Sequence, residues 1–425
     1  MTIKSSAELI SQLSVDNVLV TVLSKTFTKN SNKLEKWYGT NYSVKHILLS
    51  TRDKWLNCAP TYSLDVDYPL PNKFIPTENG LKVKKYVKNG NAAKILPLKE
   101  RLKPIPPPQI IRNDGEGGRW TVYFKQDEKF GQPKAFAIFQ LLTKEVFSSA
   151  KSASLAQLYQ LCASDKLENY AYDAGLSSLT YDVQVLPRGV RLTFGGFNDK
   201  LLDFATYISA KLAQDIKSVL PGSPDEFERY KDRILRSLQS FDFQQPYGHA
   251  SYYSSLTLQP KGFLFTNAEL REAIKETSLE DLTKYVSRLW DSGKGEALLQ
   301  GNIDKNEALQ FVNVIDKTLG FKSIAKEDIP PQLKALSLPI VAKSQAPIKL
   351  SVSDPNPSNE NSASHLSIQC LGITEKDHIL VEIVNAIVAD PFYENLRTKQ
   401  QVSNYTVFIQ KLLFPKTYFS QLFIF

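Results

Sequence analysis

The chain has 425 residues, 42% of them hydrophobic and 23% charged, with a net charge of +8. That balance is ordinary for a globular protein and leaves room for two or three domains of roughly 100–200 residues each. The longest apolar runs, at 17–23 and 135–142, fall far short of the ~20 residues a spanning helix needs, and residues 1–12 lack the apolar core of a signal peptide. The reading is therefore cytoplasmic, with no membrane contact.

Taken in chain order, Asn17–Phe27 alternates apolar residues and reads as a strand, but a single strand buries no core, so residues 1–45 look like the tail of a domain. A Pro-rich stretch then runs to about Gly118. Within it Leu81–Pro104 carries eight basic residues against the single acid Glu100, the composition of a solvated linker. Tyr86 is its only aromatic, whereas a nucleic-acid stacking platform presents several, so no nucleic-acid partner is expected.

From Trp120 the pattern turns regular. "TVYFKQ" and "AFAIFQLL" read as strands, and a helix follows with Leu155, Leu158, Tyr159 and Cys162 on one face and Ser152 or Ser154 as its cap. The alternation Leu179, Tyr181, Val183, Val185, then Val190, Leu192, Phe194, around Pro187-Arg188-Gly189, is a hairpin. Helices are expected next: one capped by Asn198 or Asp199, one entered by Ser223 with Pro224 in its first turn, and one over "LEDLTKYVSRLW". The strand "EALLQGNI" and a helix closed by Gly320 complete a domain without strict strand–helix alternation, which implies an antiparallel α+β fold. Beyond a proline-punctuated connector, Ile329–Pro357, stand the strand "HLSIQCL" and a long helix from Thr374.

A direct search for chemistry finds little. None of His46, His249, His365 and His378 begins an H-E-x-x-H or H-x-x-E-H zinc motif. His378 and Glu382 share a helical face, but they supply two ligands where zinc needs three even at an open site. The imidazole of His249, in "GHASYY", has no carboxylate nearby in sequence to orient it, and the glycines of "FGGFND" read as a strand end relaxing into a helix cap. Cys58, Cys162 and Cys370 lie more than a hundred residues apart, without metal-knuckle spacing or a disulfide framework, and read as reduced core residues.

The blocks "SKTFTKNSNKLEKWYGTNYSV", "PNKFIPTENG", "WTVYFKQDEKFGQPKAFAIF", "LENYAYDAGLSSLTYDV", "FGGFNDKLL", "EALLQGNIDKNEAL" and "ENLRTKQQ" occur in an order and spacing that resembles the insulinase, or inverted-zincin, metalloprotease family. The likeness runs to about Phe408. It implies repeated antiparallel-sheet-plus-helices domains of the insulinase and mitochondrial-processing-peptidase type, four to a full chain, in two bowl-shaped halves closing around a substrate chamber. On that pattern residues 1–45 are the end of the second domain, 46–118 the interdomain linker, 119–325 the third domain, 326–350 a connector and 351–425 the first part of the fourth. The zinc motif belongs to the first domain, so the resemblance implies no cofactor on this chain and zinc in an N-terminal catalytic half.

The same resemblance singles out Arg397 and Tyr405. In the family an arginine and a tyrosine of an "LRTKEQLGY"-like motif reach toward the peptide at the zinc, the phenol donating to the scissile carbonyl oxygen. Arg397 matches directly, but Asn404 has the family tyrosine's place, seven residues on, and Tyr405 lies eight away. On a helix seven residues return to nearly the same face and eight rotate by about 80°, so Tyr405 fits only if a turn, expected at Ser403-Asn404, absorbs the extra residue. After Phe408 the likeness fades into an acid-free aromatic and aliphatic tail, which reads as the end of a frameshifted or mis-spliced gene and as an aggregation hazard. Two function classes follow: the substrate-binding, non-catalytic half of a zinc metalloendopeptidase, with peptides and the N-terminal half as partners, or a catalytically silent scaffold subunit.

Overall fold

The computed structural model describes residues 3–27, 31–57, 70–77, 86–88, 91–93, 106–259, 264–332, 336, 348–370, 374–401, 405–413 and 416–424, with backbone alone for 3–6, 86–88, 91–93, 368–370, 375, 378, 405–413 and 416–424. The chain forms two compact units, Met1–Pro71 and Asn72–Phe425.

In the first unit the expected strand Asn17–Phe27 is absent. Single 3-10 turns, Val15–Asn17 and Lys25–Phe27, flank an extended segment without a ladder partner among the described residues, and Leu19 and Leu23 are 89% and 95% exposed. The apolar alternation is present, but a strand exists only where a neighbour accepts its hydrogen bonds. Around it stand the helices Ile3–Ser11 and Leu49–Leu56 and a two-residue ladder, Lys33–Leu34 with Asn41–Tyr42.

The second unit is built on a sheet whose strands are β1 (Gln109–Asn113), β2 (Trp120–Gln126), β3 (Lys134–Leu142), β4 (Thr180–Leu186), β5 (Gly189–Phe197) and β6 (Ser292–Gly301). Their order is β1-β2-β6-β3-β5-β4; Lys322–Ser323 lies parallel to the start of β6, β6 lies parallel to β2, and the other pairs are antiparallel. The fold is α+β, as expected from the sequence. The edge strand β1 falls in the stretch that the proline run had masked.

Alternation decides which face is covered. Trp120, Val122, Phe124, Ala137, Phe139, Leu141, Val190, Leu192, Phe194, Ala297 and Leu299 form the inward rows and are buried. Phe139 is at the centre, with ring centroids 6.0 Å from Trp120, 6.4 Å from Phe194 and 5.6 Å from Phe311. This core is shared by α1 (Ala150–Leu176), α2 (Asn198–Ala213), α3 (Pro224–Ser240), α5 (Asn267–Lys275), α6 (Leu279–Leu289) and α7 (Lys305–Leu319), whereas α4 (Pro246–Thr257) packs against the strands Ala363–Cys370 and Lys416–Ile424. Helices α4 and α5 correspond to no element expected from the sequence. Cys162 is free and buried on α1, and burial first, then nearby acids, pushes its thiol up to about 12.

The caps correct two expectations. The N-cap of α1 is Ser149, whose Oγ accepts from the N–H of Ser152 at 3.1 Å, rather than Ser152 or Ser154. Helix α2 has no side-chain cap: Asn198 is its first residue and accepts from Asn302, and Asp199 accepts from Thr77. Ser223 does cap α3, and Gly320, at φ +66°, closes α7. The glycines of "FGGFND" are still paired in β5, just before it ends at Phe197 and α2 begins at Asn198. A Cβ on Gly196, at φ +134°, would stand 2.4 Å from the carbonyl oxygen of Ser178.

The β1–β2 connection is held by charge. Asp114 accepts from Arg112 Nε and Nη2, both at 2.9 Å, and from the N–H of Trp120 at 3.0 Å. The Arg112 guanidinium, and then the Trp120 amide, hold its pKa below the usual carboxylate value. A folded pKa below the unfolded one means that the stabilisation is present above about pH 4 and is lost as pH falls through the folded value. Asp114→Asn is expected to lower unfolding free energy at pH 7 by about 1 kcal/mol, and chemical denaturation at pH 7 and pH 3 checks that the difference from the parent shrinks in acid.

Beyond Pro357 come β8 (Ala363–Cys370), α8 (Glu375–Tyr393), β9 (Tyr405–Leu413) and β10 (Lys416–Ile424), counting Lys322–Ser323 as β7. Strands β8, β10 and β9 form an antiparallel sheet in that order. The tail after Phe408, read from sequence as aggregation-prone, lies in the strand pair β9–β10, which its β-branched and aromatic content favours.

Candidate functional site

Helix α8 opens with a capping box, Thr374 accepting from the N–H of Asp377 and Asp377 from that of Thr374. It carries Pro391 near its end, which removes one N–H from the ladder and crowds the preceding turn. Just after that proline the helix widens: Glu394–Lys399 is a π-helical turn, with the N–H of Gln400 donating to the carbonyl of Asn395 at 2.9 Å. Gln401 follows in the left-handed conformation at φ +53°.

Arg397 sits inside the widened turn and is exposed, its guanidinium carbon 5.5 Å from the ring centroid of Tyr393. The Tyr393 ring thus holds the cation at the surface, a contact that sequence reasoning passed over. Its signal was the four-residue spacing of Tyr393 and Arg397. Lys399 pairs with Glu394 at 3.2 Å across the same turn. Tyr405 begins β9 opposite Ile424, but its side chain, like the expected turn at Ser403-Asn404, lies outside the described residues. The structure therefore presents Arg397 and Tyr393 together and gives no distance between Arg397 and Tyr405.

Among the described residues no group of three or more His, Cys, Asp or Glu side chains could hold a metal ion. His249 is buried against Phe241, 4.5 Å between ring centroids, rather than beside acids, and His46 is exposed. The His378 side chain lies outside the described residues. Among the described residues no helix is long and apolar enough to cross a membrane.

Comparison with known proteins places this architecture. The profile of the middle or third domain of peptidase M16 matches residues 3–273. The chain is 30% identical over 406 residues to the insulin-degrading enzyme of Homo sapiens, covering 93% of this chain and 36% of that protein. It is 28% identical over 408 residues to the peroxisomal insulin-degrading enzyme-like 1 of Arabidopsis thaliana, covering 95% and 39%. The crystal structure of pitrilysin shares the fold with a TM-score of 0.66 at 17% identity, over 93% of this chain and 38% of that one. The chain thus spans a little over a third of the length of these relatives. With a family profile matched over more than half its length, the chain belongs to the peptidase M16 family, the insulinase family of its sequence blocks.

Proposed function

We propose that this chain is the substrate-binding, chamber-forming half of an M16 zinc metalloendopeptidase that degrades peptides, and that it takes its zinc-bearing half from outside residues 1–425. The domain scheme read from the sequence, with the third domain at 119–325 and the fourth beginning at 351, belongs to this proposal. So does a cytosolic location, which cell fractionation would test against the peroxisomal placing of one relative.

The observation that carries the reading is the turn around Arg397. An i→i+5 turn holds one residue more than an α-helical turn, and the π turn encloses Arg397 between Asn395 and Gln400. An eight-residue spacing to Tyr405 can be absorbed there, before Ser403-Asn404. A second support is the apolar stripe Ile379, Leu380, Ile383, Val384 and Ile387 of α8, 49–66% exposed. An apolar patch of that kind marks a face that meets another protein surface.

The experiment is co-elution. Mixed with the N-terminal half of the human relative, the chain is expected to run as a 1:1 complex that keeps about one zinc after dialysis, since the H-x-x-E-H ligands come from the other half. The chain alone should retain none. Separate elution, or one tight zinc per isolated chain, rejects the proposal.

A further inference from the structure

Helix α3 carries two cations that the fold does not use. Its Lys231 pairs with Glu228 at 3.7 Å and donates to the carbonyl of Thr277, and its Arg236 pairs with Asp232 at 2.8 Å. The guanidiniums of Arg229 and Arg233, one helical turn apart and both exposed, have no ion pair or hydrogen bond among the described residues. Asp225 stands four residues before Arg229, a spacing that favours a pair, and none forms. Like charges at that same spacing repel one another and weaken a helix, so the two arginines do nothing to hold α3 together.

Both border a depression of about 260 Å³ at the α1–α3 contact, lined by Asp165, Glu226, Arg229, Tyr230 and Arg233. The two acids in it are already engaged. Tyr230 is 7% exposed, and its hydroxyl donates to Asp165 Oδ2 at 2.6 Å. Glu226 pairs with Lys166 of α1 through one oxygen and accepts the N–H of Gly222 through the other at 2.7 Å. Lys166, and then that N–H, hold the Glu226 carboxyl below its usual range. The negative charge of the depression is thus bonded internally while its positive charge stays open. A guanidinium presents a planar fork of N–H donors that matches an oxyanion, and two forks a turn apart match a group of two charges.

We propose that Arg229 and Arg233 form a binding site for a compact dianionic oxyanion, the chemistry shared by a phosphate monoester and a dicarboxylate, gripped by both guanidiniums with its body over Tyr230. The site uses no residue of the Arg397 turn and does not depend on the peptidase reading, so either can fail without the other.

The test is isothermal titration calorimetry on the full chain with phenyl phosphate and succinate as dianions and acetate as the singly charged control, at about 0.15 M salt to screen diffuse charge. At least one dianion is expected to bind once per chain, about 10-fold or more tighter than acetate, and the tighter of the two names the source. Arg229→Gln and Arg233→Gln should each weaken it about 10-fold, and the double variant should abolish it. Asp165→Asn, which removes a negative charge beside the site, should tighten it about 3-fold. Arg236→Gln makes the same charge change on the same helix outside the depression, and should leave the affinity unchanged. Without ligand, neither arginine variant should lower the Tm, since each relieves a repulsion. Single arginine variants within about twofold of the parent, an equal loss in Arg236→Gln, acetate binding as tightly as both dianions, or weaker binding in Asp165→Asn overturns the proposal. A Tm lowered by Arg229→Gln or Arg233→Gln would give that arginine a structural role in place of a ligand, and also overturns it.

Discussion

Tyr405→Phe, assayed in the complex with an N-terminal half, is expected to lower turnover by around 10²-fold while leaving KM nearly unchanged. A hydroxyl that donates to the scissile carbonyl meets a neutral oxygen in the ground state and a developing oxyanion in the transition state. Removing it therefore costs barrier height, about 2.7–4 kcal/mol for a typical oxyanion donor, more than it costs binding. Arg397→Ala should behave differently. An exposed guanidinium, held against the Tyr393 ring at 5.5 Å, can grip a peptide carbonyl before reaction begins, so its loss should raise KM as well as lower turnover. Steady-state kinetics with a fluorogenic peptide separate the two patterns. If both variants match the parent within about twofold, the pair are surface residues and nothing more.

Phe139→Ala is expected to destabilise the second unit by about 3–5 kcal/mol and to lower its Tm by roughly 10 °C. Phe139 is 1% exposed and meets Trp120, Phe194 and Phe311, so truncation leaves a cavity bounded by three large rings on two strands and a helix. Rings fixed by a sheet cannot collapse into that space, which puts the cost at the upper end for a core truncation. Phe136, one pleat away on the opposite face and 47% exposed, is the control: Phe136→Ala should cost far less. Thermal melts followed by circular dichroism report both.

What was legible in the sequence is the part where one physical signal dominates. Strands β2 and β3 alternate buried and more exposed residues, so their positions follow from the two-residue period. Ser223 and Gly320 mark helix ends because their chemistry fits few other places. The failures come where a local signal needs a partner to mean anything. Asn17–Phe27 alternates but meets no neighbouring strand among the described residues, and β1 lies next to a proline run yet is tied to β2 through Asp114 and Arg112. Ser152 and Ser154 are as good caps as Ser149, and only the start of the helix chooses among them.

The candidate site was legible in its residues and not in its backbone. The motif "ENLRTKQQ" identified Arg397, but a π turn has no sequence signature beyond Pro391 a few residues upstream. Tyr393 was hidden because its ring meets the Arg397 guanidinium only once the helix has formed.

The central claim is that this chain completes a peptidase site whose metal lies on another half, and the initial rate of cleavage of a fluorogenic peptide on mixing tests it most directly. With the N-terminal half of the human relative held fixed and the chain titrated in, the rate should rise saturably, because both walls of the chamber are needed to hold and polarise the peptide. A rate that stays at that of the N-terminal half alone, across a titration in which the two are shown to co-elute, contradicts it.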